Sequence, residues 1–299
     1  MTTRSKSPAA GFDWLKNGFN VARRHPKPLL GGAALLVLAC LLPSLITMPL
    51  QYHAMSAGAA PSPATFIGTM VFSALFGLLL VPLYAGYLQL VDAAERGLPA
   101  GATDIFKPYR SGEALRLIGY GLAMVVIYVV LFGLLFATTG GSVFSWYMQA
   151  IAAQTNHLPP PGLPQGFGIV IALSMLIGLL MMGFYSISLG QVALRKRPVL
   201  GAIGDGLVGA LKNALPLLVF ALTAVIAWFV VAIALAIVVL VLALIGKLVG
   251  AWLALVLVIP LYIAVVLMAF TVMFGAMYHL WRDVCGDDIV PGLAQATAA

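Results

Sequence analysis

The stretch LPLLVFALTAVIAWFVVAIALAIVVLVLALI (215–245), then Gly246-Lys247, then LVGAWLALVLVIPLYIAVVLMAFTVMFGAMYHL (248–280) contains one lysine and no other Asp, Glu, Lys or Arg. An α-helix needs about 20 apolar residues to cross roughly 30 Å of hydrocarbon. The stretch is long enough for two crossings with tilt, and Gly246-Lys247 is the only break between them. Lipid offers no hydrogen bonds to a backbone, so each crossing must be a helix that satisfies its own amides.

Four more runs of spanning length lie upstream, at 29–50, 66–91, 114–137 and 167–191. The first contains Pro43 and Pro49 and could also be read as re-entrant. Pro82 and Pro260 mark expected kinks. Composition agrees with the count: 62% of residues are hydrophobic, 8% are charged and the mean hydropathy is +1.06. A soluble domain carries about 25% charged residues to keep its surface hydrated. The expected fold is an all-α polytopic membrane protein with six transmembrane helices.

Charge gives the orientation. Arg4, Lys6, Lys16, Arg23, Arg24 and Lys27 precede the first run. Arg96, Lys107, Arg110 and Arg116 lie between the second and third, and Arg195, Lys196, Arg197 and Lys212 between the fourth and fifth. Arg282 follows the sixth, so every Lys and Arg except Lys247 falls on one side, and so do all acidic residues. Cations are retained in the cytoplasm. Both termini are therefore expected there, in a bacterial inner membrane, with a net charge of +7 that reports topology rather than nucleic-acid binding. The segments 51–65 and 138–166 form the opposite face; the second, with Pro159-Pro160-Pro161 and Pro164, is expected to be stiff and extended. The N-terminal start mimics a signal peptide, with small residues at 56–60, but its polar segment is too long for one.

Three cytoplasmic segments share a plan. Each begins with Gly, reaches an Asp within a few residues and ends with a cation at the membrane: Gly11 to Asp13 and Arg23-Arg24, Gly101 to Asp104 and Arg116, Gly201 to Asp205 and Lys212. The aspartates stand 91 and 101 residues apart. The reading is three repeats of an interfacial helix plus a transmembrane hairpin. In the first, Phe12, Leu15, Phe19 and Ala22 form an apolar side and Asp13, Lys16, Asn17, Asn20 and Arg23 a polar one, the pattern of a helix lying in the headgroup plane. Domain limits follow as 1–28 for the N-terminal segment, 29–284 for the membrane domain and 285–299 for a short tail.

The boundary motifs Trp14-Leu15-Lys16-Asn17-Gly18-Phe19, Arg23-Arg24-His25-Pro26 and Met277-Tyr278-His279-Leu280-Trp281-Arg282-Asp283-Val284 resemble a proteobacterial family of six-helix inner-membrane proteins of unknown function. More distantly, the chain is similar to the membrane domain that precedes glycerophosphodiester phosphodiesterase domains. The resemblance implies architecture, covers about a tenth of the chain and brings no catalytic residues with it.

No run carries an ionisable residue at mid-depth, whereas proton- and sodium-coupled transporters usually need one. The motifs of serine hydrolases, zinc proteases and P-loops are absent. Cys40 and Cys285 fall at different depths and cannot pair. His25, His53, His157 and His279 lack metal-ligand spacing, and Asp287-Asp288 reads as a solvated tail. No enzyme activity, cofactor or metal is expected. The candidate groove-lining residues are Tyr84, Gln89, Tyr185 and Gln191, at similar positions in spans two and four. The candidate contacts to anionic lipid headgroups are Arg23, Arg24, Lys107, Arg116, Arg195, Arg197 and Lys212. The expected partners are the bilayer and a membrane protein or second copy. Gly77, Gly86, Gly119, Gly121, Gly133, Gly183 and Gly190 are expected where helices meet closely. The leading expectation is a membrane scaffold, regulator or lipid-organising component; the alternative is a transporter or lipid translocator.

Overall fold

The computed structural model describes residues 3–56, 63–135, 137–138, 141–155 and 158–286. Among these residues ten helices follow one another: α1 (Ala10–Arg24), α2 (Pro26–Ser56), α3 (Pro63–Glu95), α4 (Lys107–Arg110), α5 (Ala114–Leu135), α6 (Gly141–Thr155), α7 (Phe167–Arg195), α8 (Val199–Lys212), α9 (Ala214–Val249) and α10 (Ala251–Cys285). A 3-10 turn, Ala102–Phe106, leads into α4. Six of the helices, α2, α3, α5, α7, α9 and α10, are long and apolar enough to cross a membrane. The chain is an all-α polytopic membrane protein. His157, the stretch 57–62 and the tail beyond Gly286, with Asp287-Asp288, lie outside the described residues.

Several boundaries differ from expectation for physical reasons. Helix α2 runs unbroken through Pro43 and Pro49, so the first run is not re-entrant. The segment 138–166 is only partly extended. Its proline-free first half forms α6, and residues 158–164, which carry the prolines, are irregular chain before α7. Trp146 on α6 donates its indole N–H to the Pro161 carbonyl at 3.1 Å and packs on the ring of Phe167, folding the extended part back onto the helix.

Tight packing is concentrated at the charged end of the spans. The largest fully buried side chains include Trp14, Leu36, Tyr87, Ile105, Tyr120, Ile187, Tyr278 and Trp281, all from that half. Toward the opposite end the helices expose apolar faces, as Ile237, Val238, Leu240 and Val241 do on α9. Lipid tails are as apolar as these side chains, so such faces need no protein cover in a bilayer.

The short elements are packed onto the bundle. Helix α1 lies against α10 and α9, the 102–106 turn against α3 and α2, and α8 against α7. Close approach depends on glycine: a Cβ on Gly86 would strike the Ile105 carbonyl, and one on Gly206 would come within 2.8 Å of the Phe184 carbonyl oxygen. Gly121, Gly183 and Gly190 also meet neighbours, but Gly77, Gly119 and Gly133 face open space. The faces of α1 also divide differently from expectation. Gly11, Trp14, Gly18, Val21 and Ala22 are buried in the bundle, whereas Phe12 and Phe19 point outward, 53% and 51% exposed.

Candidate functional site

The polar chemistry forms a belt at the charged end. On α3, Asp92 accepts from Tyr278 of α10 at 3.0 Å and pairs with Arg96 at 2.8 Å. Asp283 at the end of α10 accepts the indole N–H of Trp14 at 2.9 Å, which ties α1 down. Glu95 lies 3.8 Å from His279. Each carboxylate thus joins two elements that are far apart in sequence.

Two denser clusters flank α7. Glu113 is bound by Lys196 at 2.7 Å and approached by Arg116 at 3.7 Å, and Gln89 donates to it at 3.4 Å. Burial works to raise the Glu113 pKa, but the Lys196 hydrogen bond and charge, with Arg116 and Gln89, outweigh it and hold the carboxyl below its ordinary value. In the second cluster, Asp205 of α8 receives both sides of the Arg197 guanidinium, at 2.6 and 3.2 Å, and the Gln191 amide at 3.0 Å. The Nη2 contact is a hydrogen bond to Asp205 Oδ1, and the Nε contact is an ion pair without hydrogen-bond geometry.

These contacts settle where the four groove candidates lie. Gln89 donates to the Ala193 carbonyl of α7 at 3.0 Å as well as to Glu113, while Gln191 serves Asp205. Tyr84 shares a 3.4 Å contact with Cys40 Sγ and stacks on Phe274; Tyr185 packs beside Tyr120, whose hydroxyl is 2.7 Å from Ser188 Oγ. The two glutamines thus bridge neighbouring elements, and the two tyrosines pack against different partners.

The predicted headgroup cations fall into two groups. Arg23, Arg24 and Lys107 are exposed. Arg116 donates to the carbonyls of Val192 and Lys196, Arg195 sits 5.8 Å from the Trp281 ring centre and donates to the Gly286 carbonyl, and Arg197 holds Asp205. Lys212, though exposed, donates to the Thr3 carbonyl at 3.2 Å. The chain start is fastened at the same point: Asn213, 1% exposed, accepts from the Lys6 amide and donates to the Arg4 carbonyl, and the Arg4 amide reaches the Val284 carbonyl at 2.8 Å. Sequence reading did not anticipate Asn213 or the pairing of Trp14 with Asp283. The one visible signal was an amphiphilic side chain at a span boundary.

Grooves among the described residues indent the surface. One of about 280 Å³ is polar, lined by Gln89, Asp104, Lys107 and Arg110 among others. One of about 440 Å³ lies between α5, α7 and α8 and is wholly apolar, with Val130, Ile177, Phe184 and Leu207 in its wall. A third, of about 560 Å³, lies between α1, α9 and α10; Lys16 is its sole charged lining residue. Among the described residues no three His, Cys, Asp or Glu side chains gather to hold a metal ion. No family model matches the chain, and no curated protein or solved structure matches it either.

Proposed function

We propose that this chain is a non-catalytic component of a bacterial inner membrane, with its charged end and both termini in the cytoplasm, acting as a scaffold or regulator that organises lipid. One observation carries the reading. Most polar side chains at the charged end bond to one another, leaving only single buried atoms such as Gln89 Oε1 and Gln191 Oε1 without a partner, whereas the two apolar grooves are lined almost entirely by apolar side chains of outward faces. Such a molecule offers lipid a shaped surface and offers a polar solute little to follow through the bundle.

Three copies of one unit fit this role. The short helix of each unit packs on the spans of the unit before it, and the first closes the ring on the last: the 102–106 turn on α2 and α3, α8 on α7, α1 on α9 and α10. The resemblance of the boundary motifs to six-helix inner-membrane proteins agrees with that plan. Lysines and arginines exposed along this rim, Arg23, Arg24 and Lys107, are suited to anionic headgroups, and a membrane partner or second copy would meet the exposed faces of the spans.

The test is reconstitution. Liposomes containing the protein should pass no ions or small solutes and should not accelerate lipid flip-flop above protein-free vesicles. The alternative, a translocator, is favoured by one feature: Gln89 lines the polar groove beside Lys107 and Arg110. If flux or flip-flop appears and the Gln89→Leu, Gln191→Leu double variant abolishes it while remaining folded, the translocator reading replaces ours.

A further inference from the structure

The groove between α1 and the α9–α10 pair has the shape and polarity of one leaflet's worth of phospholipid. Its upper edge is set where α1 crosses the spans, with Gly11 against Pro216 and Phe220 of α9 and Gly18 against Val272 and Ala276 of α10. From that level the lining continues toward the uncharged end, to Val231 on α9 and Val265 on α10. At 1.5 Å of rise per residue those steps correspond to about 10 to 16 Å of depth. Half of a hydrocarbon core is about 15 Å. The groove therefore begins at headgroup level and reaches the neighbourhood of the midplane.

Its cross-section follows from residue size. Ala227 and Ala269 line it with methyl groups, while Phe12, Phe19 and Trp228 supply bulky walls. Trp228 and both phenylalanines are more than half exposed, so the groove is not filled by the protein's own side chains. Charge distinguishes it from a generic lipid-facing hollow. Lys16 lines the groove from α1, and Arg23, two helical turns further on the same side, is exposed. A lysine in this setting packs its methylenes against apolar surface and keeps its ammonium among headgroups.

We infer that this groove binds one diacyl phospholipid with a negatively charged headgroup, an acyl chain lying over Ala227 and Ala269 and the phosphate held by Lys16. The inference rests on the lipid-organising reading and gives it a located site. The similar groove between α5, α7 and α8 has no charged lining residue and is expected to take bulk lipid without preference.

The test uses the full chain in nanodiscs of phosphatidylcholine with a small, equal fraction of either phosphatidylglycerol or phosphatidylcholine carrying brominated acyl chains. Bromine quenches tryptophan on contact, and Trp228 is isolated by subtracting the spectrum of Trp228→Phe. Quenching by the brominated anionic lipid should exceed that by its zwitterionic counterpart roughly threefold or more. Lys16→Gln should bring the two to parity, and Ala227→Phe should reduce both by filling the groove. Equal quenching in the native chain overturns the proposal, because the groove then holds bulk lipid. Absence of quenching by either also overturns it, because a second copy or partner helix then covers the site. The outcome separates from the wider reading: a threefold preference together with solute flux in liposomes would sustain the site and sink the scaffold role.

Discussion

Gly18 of α1 and Gly275 of α10 meet backbone to backbone, so a Cβ on Gly275 would lie 2.9 Å from the Gly18 Cα. No L side chain other than the glycine hydrogen fits that spacing unless α1 lifts. The contact fixes how deeply α1 seats, and with it the hydrogen bond from Trp14 to Asp283. Gly275→Leu should therefore undock α1. Overpacking of this kind costs about 1–3 kcal/mol, read as a lower melting temperature in detergent and faster proteolysis within α1. Gly119→Leu, at a glycine with open space around it, is the control and should melt as the native protein does.

Asp205 should be the most sensitive carboxylate to neutralise. Its side chain is 11% exposed and holds Arg197 and Gln191 together, joining α7 to α8. Removing one partner of a buried pair strands the other charge, which costs about 3–5 kcal/mol when burial is complete. Arg197 is 32% exposed, so water recovers part of that and about 2 kcal/mol is expected for Asp205→Ala. The double variant Asp205→Ala, Arg197→Ala should be less destabilised than the two single losses combined. A double-mutant cycle on thermal unfolding in detergent measures this, and strict additivity would show that the pair is idle.

Glu113 gives the fold an acid limit. Its carboxyl is held below the ordinary value of 4.5 in the folded state. A group with a lowered folded pKa contributes stability above its unfolded pKa and loses it as pH falls through the folded one. Stability from this site should thus be level above about pH 5 and decline beneath the 4.5 reference. Lys196 is well exposed, so the contribution is about 1 kcal/mol or less. Glu113→Gln should melt slightly lower at pH 7 and lose part of the acid slope between pH 5 and pH 3. An unchanged slope would assign the acid sensitivity to other carboxylates.

The spans were legible because lipid leaves so few solutions: an unbroken apolar run such as 215–245 can only be a helix. The polar belt was half legible. Gln89, Gln191, Arg116 and Arg197 stand out as polar residues at span ends, but sequence spacing does not reveal that Asp205 and Glu113 are their partners. Reading one element at a time misses how elements meet. Glycine as a contact point holds at Gly86, Gly121, Gly183 and Gly190 but not at Gly77, Gly119 and Gly133, while Gly11 and Gly18 on a short helix come backbone to backbone with α9 and α10. The sequence of α1 likewise suggests a single apolar side. The bundle buries its glycine and alanine face with Trp14 and leaves Phe12 and Phe19 outside, since only small residues let two backbones come together.

Orientation is the remaining prediction, and it is decided by labelling. Ser111 lies in the short connection between α4 and α5 at the charged end, and Ser142 begins α6 at the other; both are exposed. Cys40 is half-buried and Cys285 buried, so replacing both with alanine leaves a background without native thiols. In that background Ser142→Cys should react with a membrane-impermeant maleimide on intact spheroplasts. Ser111→Cys should react only after the membrane is opened or in inverted vesicles. Cations crowd the Ser111 side, with Lys107, Arg110 and Arg116 close in sequence, and translocating them is what the insertion machinery resists. The reverse pattern of labelling would invert the topology and move the Lys16 groove to the outer leaflet.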